Sequence, residues 1–231
     1  MYRKVLFLTI FLFLIIDYTL AQTITWQSGY PKPLPGGSIE LRWNAVSGAT
    51  SYTIYRIEGD GNPYPSYTYF TVTSNVYTDT NTTDGVLYSY VVATKVSGTT
   101  YTSPIVSVKA DRTKPSIENL SASPNPFSPD GDGFRDMVNI SFYISEYATV
   151  TVTLMDSNNA TYTLLDWNGR ICPVPGTYNL EWDGYFGGSL AKEGIIIYTI
   201  TAADYAGNVN TASSKLILDI PDVEVSNLKA L

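Results

Sequence analysis

The sequence contains no histidine and only one cysteine, Cys172. The absence of histidine removes the commonest general base and the usual zinc ligand. A lone cysteine excludes an intramolecular disulfide framework, and Cys172, between Ile171 and Pro173, is expected to be a small apolar filler. No serine–lysine motif, no distinctive carboxylate pair and no phosphate-binding glycine loop is recognisable. We therefore expect that the protein is not an enzyme.

Basic residues are also few. Fourteen Lys and Arg stand against twenty-one Asp and Glu, a formal net charge of −7, which argues against nucleic acid as a partner. Residues 22–110 carry five basic and five acidic residues, whereas residues 111–231 carry seven and fifteen. An acidic half is usually a solvated surface, but this excess also favours a bound cation.

Long apolar runs are restricted to the start of the chain. Arg3 and Lys4 precede an apolar run at residues 5–16, and Leu20 and Ala21 follow it. This order predicts a signal peptide over residues 1–21. The run is shorter than the roughly 20 residues of a membrane span, although an uncleaved anchor is the alternative. We expect a secreted, cell-envelope or cell-surface protein with no membrane span after cleavage.

Alternation of apolar and polar residues fills the rest of the chain and predicts an all-β protein of two antiparallel β-sandwiches. In residues 22–110 the alternating segments are 38–43, 51–57, 67–73, 87–95 and 100–109. Their inward positions predict a core of Ile39, Leu41, Trp43, Tyr52, Ile54, Tyr88, Tyr90 and Val92.

The lines IELRWNAVSGATSYTIYRIEG and YTDTNTTDGVLYSYVVATKVSG resemble a fibronectin type III domain over about residues 23–110. The resemblance implies that Trp43 is the core tryptophan. It also implies that Tyr88 is the corner tyrosine whose hydroxyl bonds back to the backbone. It implies a fold but no particular partner.

Aromatic residues crowd a predicted edge strand of this first domain. Tyr64, Tyr67, Tyr69 and Phe70 lie in the segment PYPSYTYF. Such a cluster is a candidate binding surface for a polysaccharide or a protein partner. The alternative is that one face belongs to the core and the rest reflects the preference of tyrosine for strands.

Residues 111–117 form a short charged linker to a second sandwich, predicted over residues 118–220. Its alternating segments are 118–122, 137–145, 149–155, 160–166, 177–182, 195–203 and 214–220. Residues 221–231 form a C-terminal tail, which could extend the last strand, donate a strand to a neighbouring subunit or fray.

The stretch PNPFSPDGDGFRD, residues 124–136, is too rich in proline and glycine for a helix or a central strand and predicts an ordered loop. Asp130, Asp132 and Asp136 are spaced so that a turning backbone can direct them to one point, as a calcium site requires. The calcium would be structural and weakly bound. The alternative is that these aspartates cap backbone amides in a proline-braced turn.

The segments NPFSPDGDGFRD and GTYNLEWDGYFGGSLAKEGIIIYTITAADYAGN resemble the immunoglobulin-like domain of the flagellar hook-capping protein family. The resemblance implies an exported bacterial β-sandwich module with Trp182 in its core. Asp183, before Gly184, and Asp204, before Ala206-Gly207-Asn208, are candidates either for completing the metal site or for bracing turns.

Two classes of function remain open from the sequence. The first is an exported structural or surface-assembly protein, which assembles with envelope components or with itself. The second is a binding module that uses the aromatic edge or the loops at the sandwich ends. The absence of a third domain that these two modules could serve favours the first class.

Overall fold

The computed structural model describes residues 23–65, 68–166 and 174–220. The predicted signal peptide, Tyr67, Cys172 and the C-terminal tail lie outside these residues. The regular secondary structure of the described residues consists of strands that pair antiparallel and one short 3₁₀ turn at Pro35–Gly37. No helix among the described residues is long and apolar enough to cross a membrane.

The first sandwich contains eight strands. They are β1 (Lys32–Pro33), β2 (Ile39–Arg42), β3 (Tyr52–Glu58), β4 (Thr68–Val72), β5 (Val76–Asp79), β6 (Leu87–Val96), β7 (Thr99–Thr102) and β8 (Val106–Lys109). One sheet has the order β1-β2-β5, and the other has the order β4-β3-β6-β7, with β8 also paired to β6.

The core of the first sandwich confirms the eight predicted positions, since none of their side chains is more than 4% exposed. Trp43 packs edge-on against Tyr52 at 5.3 Å between ring centroids. The Tyr88 hydroxyl accepts a hydrogen bond from the Thr83 amide at 2.8 Å, which is the backbone contact expected of a corner tyrosine. Alternation therefore located the inner face correctly.

The prediction of one strand at residues 100–109 was wrong, because two strands occupy this segment. β7 pairs with the Ala93–Val96 end of β6, and β8 pairs with its Leu87–Tyr90 end. Between them, the Ser103 hydroxyl accepts a hydrogen bond from the Val92 amide at 3.0 Å. Pro104 follows and has no N–H with which to continue a ladder.

The second sandwich contains nine strands. They are β9 (Ile117–Ser123), β10 (Val138–Ile144), β11 (Thr149–Met155), β12 (Thr161–Asp166), β13 (Gly176–Trp182), β14 (Tyr185–Phe186), β15 (Ser189–Leu190), β16 (Gly194–Ala203) and β17 (Val209–Leu218). The sheets have the orders β13-β10-β9 and β12-β11-β16-β17, and β14 and β15 form a small hairpin.

The two sandwiches have separate cores. One core cluster draws its buried residues from Ile24 to Ala110, and the other draws them from Phe127 to Leu218. Phe127 belongs to the loop between β9 and β10, so this loop contributes a fully buried side chain to the second core. The aspartates of that loop are thereby positioned against the folded body of the sandwich.

Candidate functional site

The loop at residues 124–136 is fastened to the end of β17. Phe127 donates its amide to the Ile217 carbonyl at 3.0 Å and accepts from the Asp219 amide at 3.0 Å. The Asn125 side chain accepts from the Ile217 amide at 2.9 Å. The Ser128 amide donates to the Arg135 carbonyl at 2.9 Å and closes the loop. The loop is therefore ordered, as its composition predicted.

Asp130, Asp132 and Asp136 lie together in this loop. Each contributes a carboxylate oxygen, and these oxygens lie within 4.8 Å of one another. Asp130 and Asp132 are exposed, and Asp136 is half-buried. Three carboxylates at this separation form a group of the kind that holds a hard cation such as calcium.

The same carboxylates also accept hydrogen bonds from loop amides. Asp136 accepts from Gly131 and Gly133, each at 2.8 Å. Asp132 accepts from the Phe134 amide at 2.7 Å, and Asp130 accepts from the Asp132 amide at 3.1 Å. Gly131 and Gly133 have φ values of 82° and 87°, which side chains rarely adopt. Both the metal and the turn-bracing interpretations of the sequence are therefore compatible with the loop.

Asp183 borders the same site. A cavity of about 280 Å³ is lined by Asp130, Asp136 and Asp183, together with Tyr185. Asp183 also accepts a hydrogen bond from the Tyr185 amide at 3.0 Å, so it braces the turn after β13. The sequence did not single out Asp219, which lines an adjacent cavity of about 150 Å³ with Asp130 and Asp132. Only the pairing of the loop with β17 reveals this proximity.

Asp204 belongs to a different carboxylate group. Its two oxygens accept from the amide and the side-chain nitrogen of Asn208, each at 2.8 Å, which braces the turn after β16. Oxygens of Asp204, Asp111 and Glu146 lie within 4.8 Å of one another at the junction of the sandwiches. Asp111 and Glu146 come from the linker and from the turn after β10, so no local spacing in the sequence could identify this group.

Burial and like charges perturb this junction group. The pKa of Asp111 is raised by burial and by the nearby carboxylates of Asp204 and Asp84. The pKa of Glu146 is raised by burial and by the carboxylates of Asp111 and Asp204. Negative charge at this point of the molecule is therefore disfavoured.

The aromatic surface of the first sandwich consists of Tyr55, Tyr64 and Tyr69. Tyr55 lies directly opposite Tyr69 in the β3–β4 pair, with ring centroids 6.3 Å apart, and its ring contacts Tyr64 edge-on at 5.0 Å. Tyr69 is 65% exposed. Burial is the main cause of the raised pKa of Tyr55.

Two of the four aromatic residues predicted for the binding surface, Tyr67 and Phe70, are not among these three tyrosines. Phe70 packs against the first core and stacks on Tyr77 at 5.2 Å, because neighbouring residues in β4 point to opposite faces. Tyr67 lies outside the described residues. Tyr55 was not singled out in the sequence, although the alternation of β3 places it on the face opposite to Ile54.

No protein-family model and no curated protein matches this chain. Among solved structures, it is similar to a tetra-tandem repeat in the extending region of a large adhesion protein. The identity is 18% and the TM-score 0.37, and the match covers 85% of this chain and 49% of that chain. It is also similar to the FN1–FN3 domains of chicken CNTN1, with 11% identity, a TM-score of 0.47, and 85% and 67% coverage.

This chain thus spans about half the length of the adhesion-protein structure. Similarities at this level assign neither a family nor a function. The described strands form a tandem of antiparallel sandwiches. The resemblance of the first half to a fibronectin type III domain stays a prediction. The resemblance of the second half to the hook-capping domain stays a prediction.

Proposed function

We propose that this protein is an exported, non-catalytic structural or surface-assembly protein whose two sandwiches serve as a rigid spacer. The observation that carries this proposal is the presence of two complete cores in series, each confined to one sandwich. The candidate sites of the two sandwiches offer carboxylate oxygens and exposed aromatic rings. Such groups bind and position, and they supply no activated nucleophile.

Immuno-electron microscopy of the native cells tests this proposal. An antibody against the mature chain should label the cell surface or fibres attached to it, and purified protein should form ordered assemblies with envelope fractions. Labelling confined to the cytoplasm would contradict export. A monodisperse protein that associates with no envelope fraction would contradict the assembly role.

We propose further that calcium reinforces the loop at residues 124–136. Support comes from the proximity of Asp130, Asp132 and Asp136 and from Asp183 at the rim of the same cavity. Loop carbonyls and water would supply the remaining ligands, since calcium takes about six to eight oxygens. With few carboxylates converging, we expect weak affinity in the ~10⁻⁴–10⁻³ M range of extracellular modules.

A second candidate function is binding of a polysaccharide or a protein through Tyr55, Tyr64 and Tyr69. The specific observation in its favour is that Tyr69, on the edge strand β4, exposes its ring beside two further tyrosines. Exposed aromatic rings can stack on sugar rings or serve as anchors for a protein partner.

Pull-down on insoluble glycans distinguishes this candidate from a purely structural role. Tyr69→Ala should abolish retention, because it removes the most exposed ring of the cluster. Tyr147→Ala is the matched control, since Tyr147 is 57% exposed but lies on the second sandwich. Retention that is equal in both variants, or absent from wild-type protein, would rule out glycan binding at this surface.

A further inference from the structure

The two sandwiches meet at a junction centred on Asn208, in the turn between β16 and β17. The Asn208 side-chain oxygen accepts a hydrogen bond from the amide of Gly36 in the first sandwich at 3.0 Å. Its side-chain nitrogen donates to the carbonyls of Asp111 and Thr113 in the linker, at 3.2 and 3.3 Å. One side chain of the second sandwich therefore binds both the first sandwich and the linker. We refer to this arrangement as the Asn208 junction.

The linker is also fastened to the first sandwich. The Asp84 carboxylate accepts from the Arg112 amide at 2.7 Å and from the Thr113 hydroxyl at 2.9 Å. The Arg112 guanidinium donates to the Thr82 carbonyl at 2.6 Å. The Arg112 side chain lies against Gly37, where an added Cβ would come within 2.3 Å of it. Only glycine at position 37 permits this contact.

The far end of the linker is fastened to the second sandwich. The Asn210 side chain donates to the Pro115 carbonyl at 2.9 Å, and the Ser116 amide donates to the Ser145 hydroxyl at 2.8 Å. With Arg112 and Thr113 bound to the first sandwich, most of the linker has a partner on one side or the other. A linker held in this way does not behave as a flexible chain.

A like-charge group acts against these hydrogen bonds. Asp111, Glu146 and Asp204 place carboxylate oxygens within 4.8 Å of one another beside Asn208, and all three residues are half-buried or more. Like charges repel strongly at such distances in a partly desolvated site. The raised pKa values of Asp111 and Glu146 are consistent with this repulsion.

Other charged and titratable groups face the junction. Asp84 and Lys109 lie near Asp111, and Lys32, Tyr147 and Tyr205 line a cavity of about 280 Å³ with Asp204. Lys109 lowers the pKa of Asp111, but its effect is smaller than that of burial or of the neighbouring carboxylates. Lys109 therefore does not offset the effect of burial and of the neighbouring carboxylates on Asp111.

We propose that the Asn208 junction is a charge-sensitive coupling between the sandwiches. The Asn208 hydrogen bonds fix one relative orientation, and the repulsion among Asp111, Glu146 and Asp204 opposes it, so that neutralising a carboxylate strengthens the junction. A carboxyl group whose pKa is raised in the junction stabilises the junction in its neutral form. Its stabilising contribution is fully present below its ordinary pKa and is lost as the pH rises through the raised pKa. The junction should therefore tighten in mild acid. This inference does not depend on the proposed spacer function.

The distribution of distances between the sandwiches tests the proposal directly. Spin labels are attached through Lys95→Cys and Lys215→Cys in a Cys172→Ser background, in chelator so that no metal contributes. Both lysines are exposed, one on each sandwich. The unmodified junction should give one narrow distribution. A broad distribution would overturn the proposal.

Asn208→Asp keeps the side-chain acceptor for Gly36 and adds a fourth negative charge. It removes the two bonds to the linker and the bond from the side-chain nitrogen to Asp204. It should broaden the distribution. Adding Glu146→Gln should restore much of the narrow distribution, because it removes one charge but replaces no hydrogen bond. Asn179→Asp, on the exposed side of β13, is the matched control and should change nothing.

Each outcome decides one part of the proposal. If Asn208→Asp leaves the distribution unchanged while circular dichroism shows a folded protein, Asn208 does not couple the sandwiches. If Glu146→Gln fails to restore Asn208→Asp, repulsion does not oppose the junction. As the pH is lowered from about 7 to about 4, where ordinary carboxyl groups protonate, the Asn208→Asp distribution should narrow. An unchanged distribution over that range would contradict the charge dependence.

Discussion

A buried ion pair connects Asp79 to Arg56 in the first sandwich. Asp79 is fully buried and accepts hydrogen bonds from the Arg56 guanidinium and the Tyr90 hydroxyl, each at 2.8 Å. Its second oxygen accepts from the Asn81 amide at 3.0 Å. Burial and the Asp79 carboxylate together raise the pKa of Tyr90. Removing one member of such a network leaves the others desolvated and unpaired.

Asp79→Ala should lower the free energy of unfolding of the first sandwich by about 3–5 kcal/mol, because it leaves the Arg56 guanidinium buried without its counter-charge. Chemical denaturation followed by tryptophan fluorescence measures this change. Glu40→Ala is the control, since it breaks the Arg42 pair, in which the Arg42 side chain is 40% exposed. That change should lower stability by no more than about 1 kcal/mol. Similar effects of both variants would contradict the importance of burial.

Asp132→Asn separates metal binding from turn bracing in the aspartate loop. Asparagine keeps the oxygen that accepts from the Phe134 amide but removes one of the three negative charges on which calcium affinity depends. Calcium at about tenfold to hundredfold excess over its dissociation constant should stabilise the wild-type second sandwich by about 1–3 kcal/mol. This increment should be strongly reduced in Asp132→Asn. Thermal unfolding with calcium and with chelator measures it.

Asp156→Asn is the matched control for that experiment. Asp156 also braces a turn, accepting from the amides of Asn158 and Ala160, but it belongs to neither carboxylate group among the described residues. It should retain the full calcium increment. If wild-type protein melts at the same temperature in calcium and in chelator, the aspartates only brace the loop.

Strands were predictable from sequence wherever alternation continued without interruption. β11 coincides with the predicted residues 149–155. β3 and β10 differ from their predictions by one residue at each end, and β16 begins one residue earlier than predicted. β1, β5 and the β14–β15 hairpin were missed, because segments of two to four residues are too short to show a period. Sheet order and the anchoring of Phe127 on β17 depend on contacts between distant segments, which no local pattern encodes.

Trp182, at the end of β13, connects the second core to the aspartate loop. Its ring is 3% exposed and lies 5.3 Å from the Phe127 ring and 5.0 Å from the Phe186 ring. Trp182→Ala should destabilise the second sandwich by about 3–5 kcal/mol and should also release the loop. Thermal unfolding and protease cleavage within residues 124–136 measure the two effects.

Tyr185→Ala is the control for Trp182, because Tyr185 is 43% exposed and its backbone carbonyl, which accepts from the Trp182 ring nitrogen at 3.2 Å, is retained. Its effect on stability should be small. An unchanged melting temperature for Trp182→Ala would show that the ring does not support the second core.

At the scale of the whole molecule, one of the two carboxylate groups could be predicted from the sequence and the other could not. Asp130, Asp132 and Asp136 are close in the chain, so their convergence was predictable from spacing. Asp111, Glu146 and Asp204 converge only because the linker and two turns of the second sandwich meet. A site assembled from separate segments depends on the relative placement of both sandwiches, and no single segment of the sequence specifies it.

The two sandwiches should unfold in two calorimetric transitions, because each core lies within one sandwich. Trp43→Ala should lower the first-sandwich transition by the equivalent of about 3–5 kcal/mol. Once the first sandwich is unfolded, the second loses the Gly36–Asn208 hydrogen bond and the packing of Pro35 against Gly207. A hydrogen bond contributes about 0.5–1.5 kcal/mol net, so the second transition should fall by a few degrees. In an Asn208→Ala background, which already lacks the acceptor for the Gly36 amide, Trp43→Ala should shift the second transition less. Equal shifts in both backgrounds would show that Asn208 carries none of the coupling, and a single transition would show that the two cores unfold as one unit.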